Sequence, residues 1–87
     1  MYRVVFRRSA KKSLDLLPQG VGDRVTMAIA ALRDEPRPAG CRKVVGSDSG
    51  YRIRIGRYRV IYEVRDKQQL VLIMRIVLRS ERSYRGV

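Results

Sequence analysis

Residues 51–62, Tyr51-Arg52-Ile53-Arg54-Ile55-Gly56-Arg57-Tyr58-Arg59-Val60-Ile61-Tyr62, constrain the fold of this chain more than any other segment. Side chains alternate across a strand, so Arg52 and Arg54 share one face, and Tyr51, Ile53 and Ile55 the other. Gly56-Arg57 suits a two-residue type II′ turn, which takes glycine first. That turn pairs Ile55 with Tyr58, Arg54 with Arg59, Ile53 with Val60 and Tyr51 with Tyr62. Every apolar pair then falls on one side, and a slip of one residue would bury the arginines. The segment is predicted to be a hairpin with an apolar inner face and a basic outer face.

The hairpin must pack its inner face on something, and the first half of the chain supplies it. Tyr2 to Phe6 is short, β-branched and aromatic, as a strand requires. Ser9 can cap the helix after it, where Ala10, Leu14 and Leu17 recur at helical spacing. Pro18-Gln19-Gly20 interrupts, and a second helix is predicted from about Val21 to Asp34, with Val21, Val25, Ala28, Ile29 and Leu32 on one face. Helices this short do not persist alone in water, so each stripe needs a sheet beneath it. Glu35-Pro36-Arg37-Pro38-Ala39-Gly40 begins a loop. After the hairpin, Leu70 to Val77 is apolar on both faces except at Arg75, the pattern of a central strand covered by helices. The expected fold class is α+β, in the order β-α-α-β-β-β: two N-terminal helices on a small, mostly antiparallel twisted sheet. No linker or repeat divides the 87 residues, so residues 1–87 form one domain.

Charge narrows the function. Twenty Lys and Arg against eight Asp and Glu give a net charge of +12, and sixteen of the twenty cations are Arg. Residues 1–41 carry eight cations and four anions, and residues 42–87 carry twelve and four. Binding a polyanion relieves that self-repulsion. Nucleic acid ranks first, an acidic protein second, an anionic membrane surface third. No apolar run approaches the ~20 residues of a membrane span, and the chain reads as cytosolic. The absence of His excludes His-dependent catalysis, and the single Cys41 excludes an internal disulfide and Cys-rich zinc sites. No cofactor and no metal are expected.

Arg54 opposite Arg59 is the informative pair, because like charges directly across two strands are unfavourable. Arg52 adds a third cation to that face, and Arg79, Arg82 and Arg85 follow the last strand. Arginine holds phosphate oxygens bidentately and stacks on bases, and Tyr84 adds a ring and a hydroxyl among the tail arginines. Lys43, Arg57 and Arg75 extend the candidate RNA-binding set. The plainer interpretation is a solvated strand face with arginine as surface filler. Tyr2, Phe6, Tyr51, Tyr58 and Tyr62 belong to core or rim, Lys11 and Lys12 to a solvated helix face, and Cys41 to a loop as an incidental thiol. Glu63 and Glu81 can pair with nearby arginines.

Gly46 through Tyr62, with the hairpin at its centre, resembles the signature of the RelE/ParE superfamily of bacterial and archaeal toxins. The likeness extends over nearly the whole chain: the strand–helix–helix opening, Leu32…Glu35-Pro36 at the helix exit, Lys43-Val44-Val45-Gly46 before the hairpin, and Arg79…Tyr84-Arg85 at the end. A RelE-type member implies a ribosome-dependent, metal-independent endonuclease of messenger RNA, in which a ribose 2′-oxygen attacks the adjacent phosphodiester. By position the resemblance assigns catalytic roles to Arg52, Arg54, Arg59, Arg79 and Tyr84, with Arg59 and Arg79 as phosphate clamps. It implies a cognate acidic antitoxin, held in a hetero-oligomer, with ribosome and mRNA as targets. The chain departs from well-known members in carrying Arg rather than Lys at 52 and 54, and Val77-Leu78 before Arg79. Arginine does not serve as a general base, which leaves Tyr84, Glu81 or a ribosomal group. Two other functions share the pattern: a ParE-like inhibitor of DNA gyrase acting by protein binding, and a non-catalytic RNA-binding module.

Overall fold

The computed structural model describes residues 1–78 of the chain. Its elements are β1 (Arg3–Phe6), α1 (Arg8–Asp15), α2 (Gln19–Ala31), β2 (Arg42–Lys43), β3 (Gly50–Ile55), β4 (Tyr58–Arg65), a 3-10 turn (Asp66–Gln68) and β5 (Leu70–Leu78). The five strands form one sheet in the order β1-β5-β4-β3-β2. β1 runs parallel to β5, and every other pair is antiparallel. The expected α+β class holds, with one strand more than the sequence pattern indicated: β2 is two residues long, too short to show alternation.

The hairpin has the expected register, with Ile55 opposite Tyr58, Arg54 opposite Arg59, Ile53 opposite Val60 and Tyr51 opposite Tyr62. Gly56 has φ +59° while Arg57 stays in the ordinary negative range, the arrangement of a type II′ turn. One apolar layer forms between the inner sheet face and the two helices. Tyr62, Leu32, Ile73, Val25, Val60 and Val71 are fully buried there, with Ala10, Ile29, Val64 and Ile76 around them.

Three local expectations are corrected. Ser9 does not cap α1; Arg7 occupies that position without a side-chain bond. The Arg7 amide still bonds Ile73 of β5 (2.9 Å) while its carbonyl accepts from Lys11 (3.0 Å), so strand pairing and helix meet at one residue and leave no room for a capping turn. Pro18 is the N-cap of α2, so Gln19 and Gly20 are already helical, and α2 ends at Ala31. Residues 32–34 tighten into a turn through i→i−3 bonds such as Asp34 N–H to Ala31 carbonyl (3.2 Å). Finally, β5 is central in the sheet, but among the described residues helices cover only one of its faces. Val71, Ile73 and Ile76 are buried, while Leu72 and Val77 on the other face are half-exposed.

Arg75 shows why strict alternation fails in β5. Counting by twos from Val71 and Ile73 would send Arg75 into the core. A β-bulge intervenes: Tyr62 pairs with Ile73 and Ile61 with Arg75, leaving Met74 as the extra residue. The bulge turns Arg75 to the open face and restores Ile76 to the core. Among the described residues, no helix is long and apolar enough to cross a membrane.

Candidate nucleic-acid interface

The open face of the sheet gathers cations in rows. Arg42 of β2 stands opposite Arg52 of β3, which stands opposite Ile61 of β4 and, beyond it, Arg75 of β5. Two residues along, Arg54 stands opposite Arg59, with Val77 beyond. Two like-charged cross-strand pairs therefore lie side by side. Such pairs cost stability unless an anion is to be held between them.

Arg42, Arg52, Arg54 and Arg59 line one cleft of about 550 Å³, with Ala39, Gly40 and Ile53 completing its lining. Among the described residues, no acidic side chain lines it. Arg54 is exposed and Arg52 and Arg59 are half-buried, so the cleft has a solvated rim and a drier floor. The Nε and Nη1 atoms of Arg59 are removed from solvent altogether. Cations in such a recess act on an entering anion through less water than cations on a flat surface. Gly40 lies at φ +92°, a conformation that side-chain-bearing residues rarely take, so the wall beside Arg42 depends on a glycine there.

Of the candidates named from sequence, Arg52, Arg54 and Arg59 converge on the cleft. Arg75 shares the face without lining it. Arg57 sits at the hairpin tip and lines a separate recess of about 210 Å³ with Arg24, Val21 and Tyr58. Lys43 pairs with Tyr51, on the face opposite to Arg42 and Arg52, because adjacent strand residues point to opposite sides. Arg79, Glu81, Arg82, Tyr84 and Arg85 lie outside the described residues. Arg42 is the cleft residue missed by sequence reasoning. The signal for it was the turn-rich run Gly46-Ser47-Asp48-Ser49-Gly50, which folds Arg42-Lys43 back against β3. Val44 N–H bonds Gly50 carbonyl at 2.9 Å, and Gly50 N–H bonds Ser47 Oγ at 2.9 Å.

Behind the cleft, a polar and aromatic cluster secures the loop between α2 and β2. Arg37 donates to both Asp66 oxygens, at 2.8 and 3.2 Å, and its Nε donates to the Tyr51 hydroxyl at 3.0 Å. Its guanidinium also lies 5.1 Å from the centre of the Tyr51 ring, a cation–π distance. Tyr2 donates to Asp66 at 2.6 Å, and Tyr51 stacks on Tyr62 with ring centres 6.1 Å apart. The Tyr62 hydroxyl donates to the Pro36 carbonyl at 2.8 Å. The hydrogen bonds from Arg37 and then Tyr2 hold the Asp66 carboxyl below its usual range, and the same bond to Asp66 raises Tyr2. Burial first, and then the Cys41 thiol beside it, raise Tyr62.

This geometry and sequence have clear relatives. The profile of the family described as the ParE toxin of the type II toxin–antitoxin system parDE matches residues 4–83. The chain is similar to the archaeal RelE–RelB complex from Pyrococcus horikoshii OT3, at 32% identity over 92% of this chain and 97% of that one, with a TM-score of 0.82. It is similar to the intact E. coli RelBE toxin–antitoxin complex (25% identity, 94% and 100% covered, TM-score 0.79) and to a RelBE toxin–antitoxin complex of Mycobacterium tuberculosis (26%, 86% and 94%, 0.75). No curated protein matches the sequence. The family profile spans nearly all of the chain, and the solved relatives share its helices, its sheet and its hairpin; the chain belongs to the ParE toxin family of the RelE/ParE superfamily and is the toxin of a type II toxin–antitoxin module.

Proposed function

We propose that this toxin binds messenger RNA on the ribosome across the arginine cleft and cuts it by attack of a ribose 2′-oxygen on the adjacent phosphodiester. The observation that carries this reading is the pairing of Arg42 with Arg52 and Arg54 with Arg59 around one recess. In-line attack forms a bond from the 2′-oxygen to phosphorus and breaks the bond to the 5′-oxygen, which takes up a proton from water or a ribosomal group, leaving a 2′,3′-cyclic phosphate and a 5′-hydroxyl. Negative charge grows on the non-bridging oxygens at the transition state, and fixed cations stabilise it most where water is excluded. Arg52, Arg54 and Arg59 supply that charge, and Arg42 extends the grip to a neighbouring phosphate.

Proton transfer falls to other groups, because arginine remains protonated at neutral pH. Tyr84, Glu81 or a ribosomal group takes the 2′-proton, and Arg79 adds a further phosphate contact; Arg79 and Tyr84 are assigned by the superfamily resemblance, while Glu81 is an option left once arginine is set aside as a base. An acidic antitoxin is the natural partner for a surface this cationic, and the similar RelE proteins are found in complexes with RelB. Controlled expression tests the reading. Translation should stop, ribosome-bound messages should carry new 5′-hydroxyl ends, and Arg54→Ala with Arg59→Ala should abolish both. Intact messages on arrested or growing cells would refute it. The family profile, described as that of the ParE toxin, favours a second reading, gyrase inhibition by protein binding. That reading requires supercoiling defects and a DNA-damage response with messages left whole.

A further inference from the structure

The cleft is built partly from a segment that cannot hold its own place. β2 is two residues long, and the chain from Glu35 to Cys41 is neither helix nor strand. A strand of this length gains little from pairing. Yet Ala39, Gly40 and Arg42, all within or beside that segment, form one wall of the cleft. Their placement therefore depends on anchors nearby.

The anchors lie just upstream, and none of them lines the cleft. Arg37 is two residues from Ala39, and its forked bond to Asp66 ties the loop to the turn between β4 and β5, 29 residues away. Asp66 is oriented in turn by the Tyr2 hydroxyl at 2.6 Å. The Tyr51 hydroxyl accepts from Arg37 Nε, and the Tyr62 hydroxyl donates to the Pro36 carbonyl. Pro36 and Pro38 stiffen the segment on either side of Arg37, and Cys41 N–H closes a turn on Pro38 carbonyl at 3.0 Å. A displacement at Arg37 passes to Ala39 and Gly40 through few soft torsions.

We infer that Arg37 and Asp66 are positioning residues: their fork sets the Ala39–Arg42 wall and thereby the grip of the arginine cleft on phosphate. The inference rests on the phosphate-binding reading of the cleft. The fork holds Arg37 on a carboxylate, and Arg37 does not line the cleft. A bidentate arginine–carboxylate contact adds direction as well as attraction, which a lone lysine pair lacks.

The test uses the full chain and a fluorescein-labelled oligouridylate of about eight nucleotides, followed by anisotropy across a salt series. Asp66→Ala should raise Kd about threefold to tenfold while the salt slope stays unchanged, since no phosphate-contacting cation is lost. Asp66→Glu should restore most of the affinity. Amide exchange at Cys41 should quicken in Asp66→Ala while Val60 and Tyr62 in β4 keep their protection, a pattern that general loss of stability does not produce. Wild-type affinity in Asp66→Ala overturns the inference, as does equal loss of protection in β4. If Asp66→Ala does not fold, Tyr51→Phe removes one hydroxyl and no charge, and the same two readouts apply to it. Arg54→Ala serves as the control: affinity unchanged there overturns the cleft reading, and this inference with it. Affinity lost there but kept in Asp66→Ala overturns the inference alone.

Discussion

Replacing Arg54 by threonine should make the protein more stable and a weaker binder of RNA at once. Arg54 faces Arg59 directly across the hairpin, with Arg52 two residues away on the same face. Removing one member of an exposed like-charged cross-strand pair relieves about 0.2–1 kcal/mol, and threonine suits a strand at least as well as arginine. A gain of about 0.5–1 kcal/mol corresponds to roughly 2–8 °C in Tm for a domain of this size. The cost appears in binding. Each phosphate contact to a single strand contributes a slope of about −0.7 in log K against log salt, so losing one weakens binding about fivefold at 0.1 M relative to 1 M salt. Thermal melts followed by circular dichroism read the first effect, and anisotropy with a labelled single-stranded RNA across a salt series reads the second. An unchanged affinity and slope would refute the anion-binding reading. A lower Tm would refute the claim that the pair is kept at the expense of stability.

Two further outcomes follow from the cluster behind the cleft. Tyr62→Phe deletes a buried 2.8 Å bond to the Pro36 carbonyl. It should cost about 1–2 kcal/mol, seen as a drop of roughly 4–16 °C in the same melts; an unchanged melt would show that the carbonyl is satisfied without the hydroxyl. Asp66 titrates below the ordinary 3.8 because Arg37 and Tyr2 bond its charged form. A depressed carboxylate contributes stability above its unfolded value and loses it as pH falls through the folded value. The stability difference between the wild type and Asp66→Asn should therefore be full at neutral pH and shrink on acidification below that range. A difference that grows with acid would reverse the assignment.

Much of the site could be foreseen because the hairpin obeys a rule that a sequence displays openly. Period-two alternation, a glycine at the first turn position and consistent apolar pairing leave one register, and Arg54 opposite Arg59 follows from it. Arg42 could not be placed this way, since two residues carry no period and their partner lies beyond a loop. Ser9 was a reasonable cap by residue type, but strand pairing at Arg7 starts the helix earlier. Arg57 and Lys43 are cations near the cleft in sequence and away from it in space, one at a hairpin tip and one on the opposite side of a pleat.

The sequence by itself determined the element types other than the two-residue β2 and the 3-10 turn, the hairpin register and the basic outer face of β3 and β4. Local torsional preference and side-chain alternation act within a few residues, so they are written into the order of amino acids. Tertiary structure decided the rest. The bulge at Ile61–Tyr62 turned Arg75 outward, because only packing against α1 and α2 selects which side of β5 is buried. The fork from Arg37 to Asp66 joined positions far apart in the chain, and it placed the wall that turns a row of arginines into a cleft. Such contacts depend on the three-dimensional meeting of a loop and a turn, and no local pattern announces it.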